Sequence, residues 1–174
     1  MSATAPARPE KDEYAPYYDK YVSLVHDGEV VETLERQIED TLALLRGVGE
    51  ERAGHRYAPG KWSIREVVGH MIDTERIFAY RALAIARGEQ QPLPGMDQDE
   101  YMAGANFDAR TLSDLLDQFE HVRRANVLML RGLSDEAWVR RGVASGNEVT
   151  VRAIAYIIAG HEAHHVQVLR TRYL

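Results

Sequence analysis

Residues 153–170 read AIAYIIAGHEAHHVQVLR, and this stretch decides what kind of fold the chain can adopt. Its apolar residues recur three and four apart. Ile154, Ile158, His161, His165 and Val168 form one stripe of a helix from about Val151 to Tyr173, which Thr150 can cap. His161 and His165 are four residues apart, so they share a face and their rings can converge on one point. They also interrupt an apolar stripe, and burying two imidazoles there is costly unless each finds a partner. Hydrogen bonds to side chains in the core can supply those partners, and so can a metal ion.

Three more segments carry the same periodicity. One runs from about Glu29 to Val48 with Val31, Leu34, Ile38, Leu42 and Leu45 on its stripe, Asp27 as its expected N-cap, and Gly47 and Gly49 as stop signals. The next runs from about Ile64 to Arg87. Ser63 and Glu66 open it as a capping box, Trp62 precedes it as a staple-type contact, and Gly88 closes it. The third runs from about Leu112 to Arg131. Ser134 to Val139 reads as one extra helical turn, and residues 141–150 (RGVASGNEVT) as a short extended turn. Four long helices without substantial strands predict an all-α four-helix bundle. The connection from about Glu89 to Arg110 is long enough to run back along the bundle as a crossover, which makes the helices before and after it parallel. Residues 1–20 read as a flexible polar leader and residues 21–174 as one domain.

Composition narrows the function. The chain has 174 residues, 45% of them hydrophobic, which suits one domain with a real core. The net charge is −6 and the basic residues are scattered, so neither nucleic acid nor anionic lipid is an expected partner. No apolar run approaches the roughly 20 residues of a spanning helix. The N-terminus has no apolar signal region, so the expected location is the cytoplasm. The chain contains no cysteine. A metal must therefore be held by His, Asp or Glu, and any thiol chemistry needs a small-molecule thiol.

Of the seven histidines, His26 and His55 lie in polar or glycine-flanked stretches, and His121 sits beside Arg123 and Arg124 on what reads as a solvated face. His70 differs, because it falls on the core side of its helix with Val67, Met71 and Thr74. If this helix and the last one are antiparallel, His70 and His165 lie at similar depth. Three imidazoles with open positions are the pattern of a catalytic metal site rather than a closed structural one. His161-Glu162-Ala163-His164-His165 also matches H-E-x-x-H, in which Glu162 serves as general base. The metzincin extension is absent, since Val168 and Thr171 stand where its glycine and third histidine belong. Asp73 and Glu75 can orient His70 from behind, or be ordinary helix-surface charge. Met96 and Tyr101, in the long connection, are candidates to contact an organic substrate.

Ser63–Ala79 (SIREVVGHMIDTERIFA) and Ala153–Arg170 together resemble the DinB/YfiT-like superfamily, which shares only its name with the damage-inducible polymerase. The resemblance spans the chain from about Tyr21 onward. It implies a four-helix bundle with a long crossover and a metal triad at His70, His161 and His165, usually nickel or zinc; His164 is additional. Some members transfer low-molecular-weight thiols such as bacillithiol or mycothiol to electrophiles, some isomerise maleylpyruvate with such a thiol, and many are described as metal-dependent hydrolases. What the resemblance implies here is a divalent-metal enzyme acting on a small molecule, either as a thiol S-transferase or as a hydrolase using metal-bound water with Glu162 as base. The competing expectation is a non-catalytic, metal-stabilised, stress-associated bundle, monomeric or homodimeric.

Overall fold

The computed structural model describes residues 6–26 and 28–174. Its helical segments are α1 (Asp19–Val22), α2 (Val30–Arg46), α3 (Glu50–Ala53), α4 (Ile64–Ala86), α5 (Gln98–Gly104), α6 (Leu112–Arg131), α7 (Asp135–Trp138) and α8 (Val151–Val168). A wide last turn, Leu169–Tyr173, ends the chain. The four long helices fall where the apolar periodicity puts them. The capping box of α4 is formed: Ser63 Oγ accepts from the Glu66 N–H at 3.1 Å, and the Glu66 carboxylate accepts from the Ser63 N–H at 2.7 Å. Thr111 and Thr150 cap α6 and α8 in the same way. Gly88 ends α4 at φ +92°, a conformation that favours glycine. Asp27, the expected cap of α2, lies outside the described residues; Glu29 occupies the N-cap position.

Contacts between helices fix their directions. Arg46 pairs with Glu120 and Arg131 with Glu35, so α2 and α6 are antiparallel. Tyr173 Oη donates to the Trp62 carbonyl at 2.7 Å while Arg140, whose carbonyl accepts from the Val151 N–H at the start of α8, donates to the carbonyl of Ala86, so α4 and α8 are antiparallel too. Gln37 donates to the Ala159 carbonyl and Thr41 to Glu162, which makes α2 and α8 parallel. Ser63 Oγ donates to Asp108, four residues before α6, and Glu75 meets Arg123 further along, which makes α4 and α6 parallel. That is the crossover expected from the long connection, whose Phe107 seats on Gly69; a Cβ on Gly69 would stand 2.4 Å from that ring.

Residues 141–150 form a hairpin rather than a loose turn. Strands β1 (Arg141–Ala144) and β2 (Asn147–Thr150) pair antiparallel, with Arg141 opposite Thr150 and Ala144 opposite Asn147. Ser145 and Gly146 both take positive φ, as a two-residue hairpin turn of this hand requires.

The segment expected to be a leader is tied down from residue 8 onward. Arg8 donates to the carbonyls of Val22 and Val25, Tyr14 is buried, and the buried Glu13 carboxylate accepts from Thr150 and Arg152. Those Thr150 and Arg152 bonds outweigh the upward push of burial and hold the Glu13 carboxyl down at about 2. The sequence hides this anchoring because a short polar segment shows no periodicity until its partner is known.

Apolar packing divides the interior into two clusters. One holds Leu34, Phe78, Val127 and Ile158; the other holds Ile38, Met71, Phe119 and Leu169. On each long helix the break between clusters coincides with buried or half-buried polar residues: Gln37 on α2, Thr74 and Glu75 on α4, Arg123 on α6, and His161, Glu162 and His165 on α8. A polar layer therefore crosses the middle of the bundle.

Candidate metal centre

Half of that layer is an imidazole cluster. Helix α4 supplies His70 from its second turn, and α8 supplies His161 and His165 one turn apart. His161 Nε2 lies 3.0 Å from His70 Nε2 and 3.1 Å from His165 Nε2. One ring nitrogen from each histidine lies within 4.8 Å of the other two. Two nitrogens held about 2.1 Å from one divalent ion, at angles between octahedral and tetrahedral, stand roughly 3.0–3.4 Å apart, so the spacing fits. Hydrogen bonding alone does not satisfy the cluster. A ring nitrogen is either one donor or one acceptor, so His161 Nε2 cannot make a full hydrogen bond to both neighbours.

Electrostatics keep the rings in the form a metal needs. Burial pushes His70 down to about 4. Burial first, then the nearby His70, takes His165 to about 3. His161 falls well below the ordinary imidazole range through burial, then His165 and His70. All three are neutral near pH 7, with lone pairs available.

The other half of the layer is a buried ion network. Glu162 follows His161 directly but is rotated about 100° around the helix. Its carboxylate accepts from Thr41 Oγ1 at 2.6 Å and lies 2.6 Å from Arg123 Nη2. Arg123 Nε and Nη2 also donate to the two oxygens of Glu75 at 2.7 Å, and Nη1 donates to the Leu34 carbonyl at 2.9 Å. Burial raises the Glu162 carboxyl, with Arg123 and Thr41 pulling against it. Arg123 is held as a cation, because Glu162 and Glu75 outweigh the burial that disfavours its charge.

Two expectations change here. Arg123 is not part of a solvated face but is 1% exposed, and Glu75 is neither surface charge nor a partner of His70. The signal was present in the periodicity: Arg123 falls on the stripe of Phe119 and Val127, and Glu75 on that of Met71 and Phe78.

A cavity of about 320 Å³ opens beside His70 and His161. Tyr17, Tyr18, Tyr21 and Phe78 give it an aromatic wall, and Thr74, Arg81, Asp97 and Ser145 give it polar points. Gly160 makes the wall possible. The Tyr21 carbonyl packs so closely on α8 that a Cβ at Gly160 would lie 2.0 Å from its oxygen.

A family model described as the DinB superfamily matches residues 33–169. The chain belongs to the DinB superfamily. Over 140 residues it is 23% identical to a protein of Oceanobacillus iheyensis named putative metal-dependent hydrolase, covering 78% of this chain and 77% of that one. YfiT of Bacillus subtilis, described as a probable metal-dependent hydrolase with an unusual four-helix bundle topology, superposes with a TM-score of 0.68 at 17% identity, over 93% of this chain and 91% of that chain. A mycothiol-dependent maleylpyruvate isomerase superposes with a TM-score of 0.66 at 15% identity, over 79% of this chain and 58% of that longer one. These likenesses establish the DinB bundle fold.

In this DinB bundle the remaining sequence candidates separate. Met96 lines the cavity, whereas Tyr101 is 48% exposed and does not. His164 stays outside the imidazole cluster, its ring against Tyr21 and His165. His26, His55 and His121 are exposed. Trp62 does more than staple a helix, with its ring 4.9 Å from that of His70. No helix among the described residues is long and apolar enough to cross a membrane.

Proposed function

We propose that this protein is a metal-dependent enzyme that transfers a low-molecular-weight thiol to an electrophilic small molecule, with His70, His161 and His165 holding one zinc or nickel ion. One observation carries the reading. Three neutral imidazoles converge beside a cavity of about 320 Å³, while the neighbouring acid, Glu162, is committed to Thr41 and Arg123. When bound, the ion supplies Lewis acidity, which acidifies a thiol placed against it. A thiol starts near 8.5, so it needs little help to ionise and no protein base. The chain brings no sulfur nucleophile of its own, since it has no cysteine.

The protein's own part is binding and orientation. The tyrosine wall excludes water and offers apolar surface to an organic electrophile. Glu162 and Arg123 hold α8 against α2 and α6, which fixes the direction of His161. On this reading Glu162 is a positioning residue rather than a proton-transfer group.

The names of its relatives favour a second reading, hydrolysis, in which Glu162 is the base. A paired assay separates the two. Zinc- or nickel-loaded protein is given a panel of small thiols with a chromogenic aryl halide, and separately an activated ester without thiol. Thiol transfer should appear with at least one thiol, vanish in His161→Ala, and survive within about tenfold in Glu162→Gln, because a group acting through position loses less than one moving the proton. Thiol-independent ester hydrolysis abolished by Glu162→Gln, with no thiol transfer in any combination, favours the hydrolase instead.

A further inference from the structure

Arg81 has a position that the imidazole cluster does not explain. His70, Thr74, Phe78 and Arg81 follow one another at spacings of four, four and three, so they form a single stripe of α4, and all four line the cavity. Eleven residues at 1.5 Å each set the Cα atoms of His70 and Arg81 about 16 Å apart along the axis. Helical side chains lean toward the N-terminus, so the guanidinium reaches back over the cavity toward the imidazoles.

Arg81 is only 3% exposed. A buried guanidinium is costly unless it is paired. The bundle's other deeply buried arginine, Arg123, has two carboxylates and a carbonyl. Arg81 has none of the first kind. Its Nη2 donates to the Pro94 carbonyl at 2.8 Å and to Ser145 Oγ at 3.0 Å, and its guanidinium lies 4.9 Å from the centre of the Phe78 ring. Among the described residues no carboxylate forms an ion pair with it, and Nε and Nη1 have no hydrogen-bond partner. Asp97 lines the same cavity, but its Oδ1 accepts from the N–H groups of Asp99 and Glu100 as the cap of α5. Thr74 Oγ1, one turn above His70, is likewise buried without a partner. The cavity thus holds a cation without a carboxylate partner at one end, an unsatisfied hydroxyl midway and the imidazoles of His70 and His161 at the other end.

We propose that Arg81 is a carboxylate anchor. The cavity takes an elongated small molecule whose carboxylate accepts from Nε or Nη1 of Arg81, the donors that Pro94 and Ser145 leave free, and whose other end reaches the imidazoles. Both forks of the guanidinium share Nη2, which is already taken, so the carboxylate gains one charge-assisted hydrogen bond from a planar, fixed donor. Arg81 complements a single negative charge, and a phosphate dianion would bring a second one into a cavity that Asp97 also lines. The proposal rests on reading the cavity as the substrate site, and it names the chemical class of what enters.

Hexanoate and hexanamide, equal in length and differing in charge, test it by calorimetric titration of the full chain. Wild-type protein should bind hexanoate about tenfold more tightly than hexanamide, roughly one charge-assisted hydrogen bond's difference. In Arg81→Gln that preference should fall to about one. Arg81→Lys keeps the charge without the planar, fixed donors and should retain only part of it, and this variant decides the matter if Arg81→Gln does not fold. His161→Ala should keep the preference, because the anchor is remote from the imidazoles. No preference in wild type, a preference unchanged in Arg81→Gln, or one lost in His161→Ala while kept in Arg81→Gln would each overturn the anchor. Butyl phosphate binding more tightly than hexanoate would overturn the assignment to a carboxylate. Metal content is measured in parallel: a chain that binds no metal yet prefers hexanoate refutes the metal-centred reading and leaves the anchor standing.

Discussion

Two compartments meet at residues 161 and 162 of α8, and they differ in how their charges are paired. On the Glu162 side, one arginine, two glutamates and a threonine close a network between α2, α4, α6 and α8. On the His161 side, His70, His161 and an arginine line a cavity with donor and acceptor capacity left over, and His165 stands against His161. The charge-paired compartment holds the bundle together, and the other, which opens on the cavity, is where a ligand can be recognised. A buried cation without a carboxylate beside an open cavity is the feature that separates them, because burial alone describes both.

Removing the hub of the charge-paired compartment should have the largest effect. Arg123→Met leaves Glu75 and Glu162 buried without their cation and should cost about 3–5 kcal/mol in denaturant unfolding. Arg81→Met strands only a carbonyl and a hydroxyl, so its cost should be well under half of that. Equal costs would erase the distinction between the two arginines.

A smaller effect is expected where the aromatic wall meets α8. Gly160→Ala places a methyl against the Tyr21 carbonyl and should cost about 1–3 kcal/mol as overpacking. It should also weaken any ligand of the cavity, since Tyr17, Tyr18 and Tyr21 move together. A variant with unchanged melting temperature and affinity would show that the wall is not built on this contact.

Acid should report on the imidazoles gradually, over several pH units. His70 and His165 sit at about 4 and about 3 when folded, below the ordinary value near 6.5. Between those limits the unfolded chain takes up protons that the folded chain refuses. Stability is therefore full above about pH 6.5 and declines as pH falls toward 4, by up to about 1.4 kcal/mol per pH unit for each buried ring. Metal affinity of the folded protein should stay nearly flat from pH 7 to 5, because the native rings are already neutral. Affinity that drops tenfold or more around pH 6 would mean that the rings titrate as if exposed.

The sequence revealed the fold more fully than the site. Four apolar stripes, the Ser63–Glu66 capping box and the length of the connection were enough for the bundle and its crossover, because helix periodicity and caps are local. His70, His161 and His165 were legible because their spacing on two helices is local as well. Arg123 and Glu75 were misread because charge beside charge suggests solvent, although both lie on apolar stripes and neutralise each other only in three dimensions. Residues 8–20 were misread for the same reason, since the Arg152 and Thr150 that hold Glu13 are more than a hundred positions away. Arg81 shows no sequence signal until the hairpin and the long connection are seen to enclose it.

The most direct test of the two compartments is metal content after dialysis against zinc or nickel and then buffer, for wild type, His161→Ala and Glu162→Gln side by side. One ion per chain in wild type and in Glu162→Gln, with less than about a tenth of that in His161→Ala, is expected when only the imidazole side holds metal. Metal retained by His161→Ala, or lost by a folded Glu162→Gln, would contradict the division at residues 161 and 162.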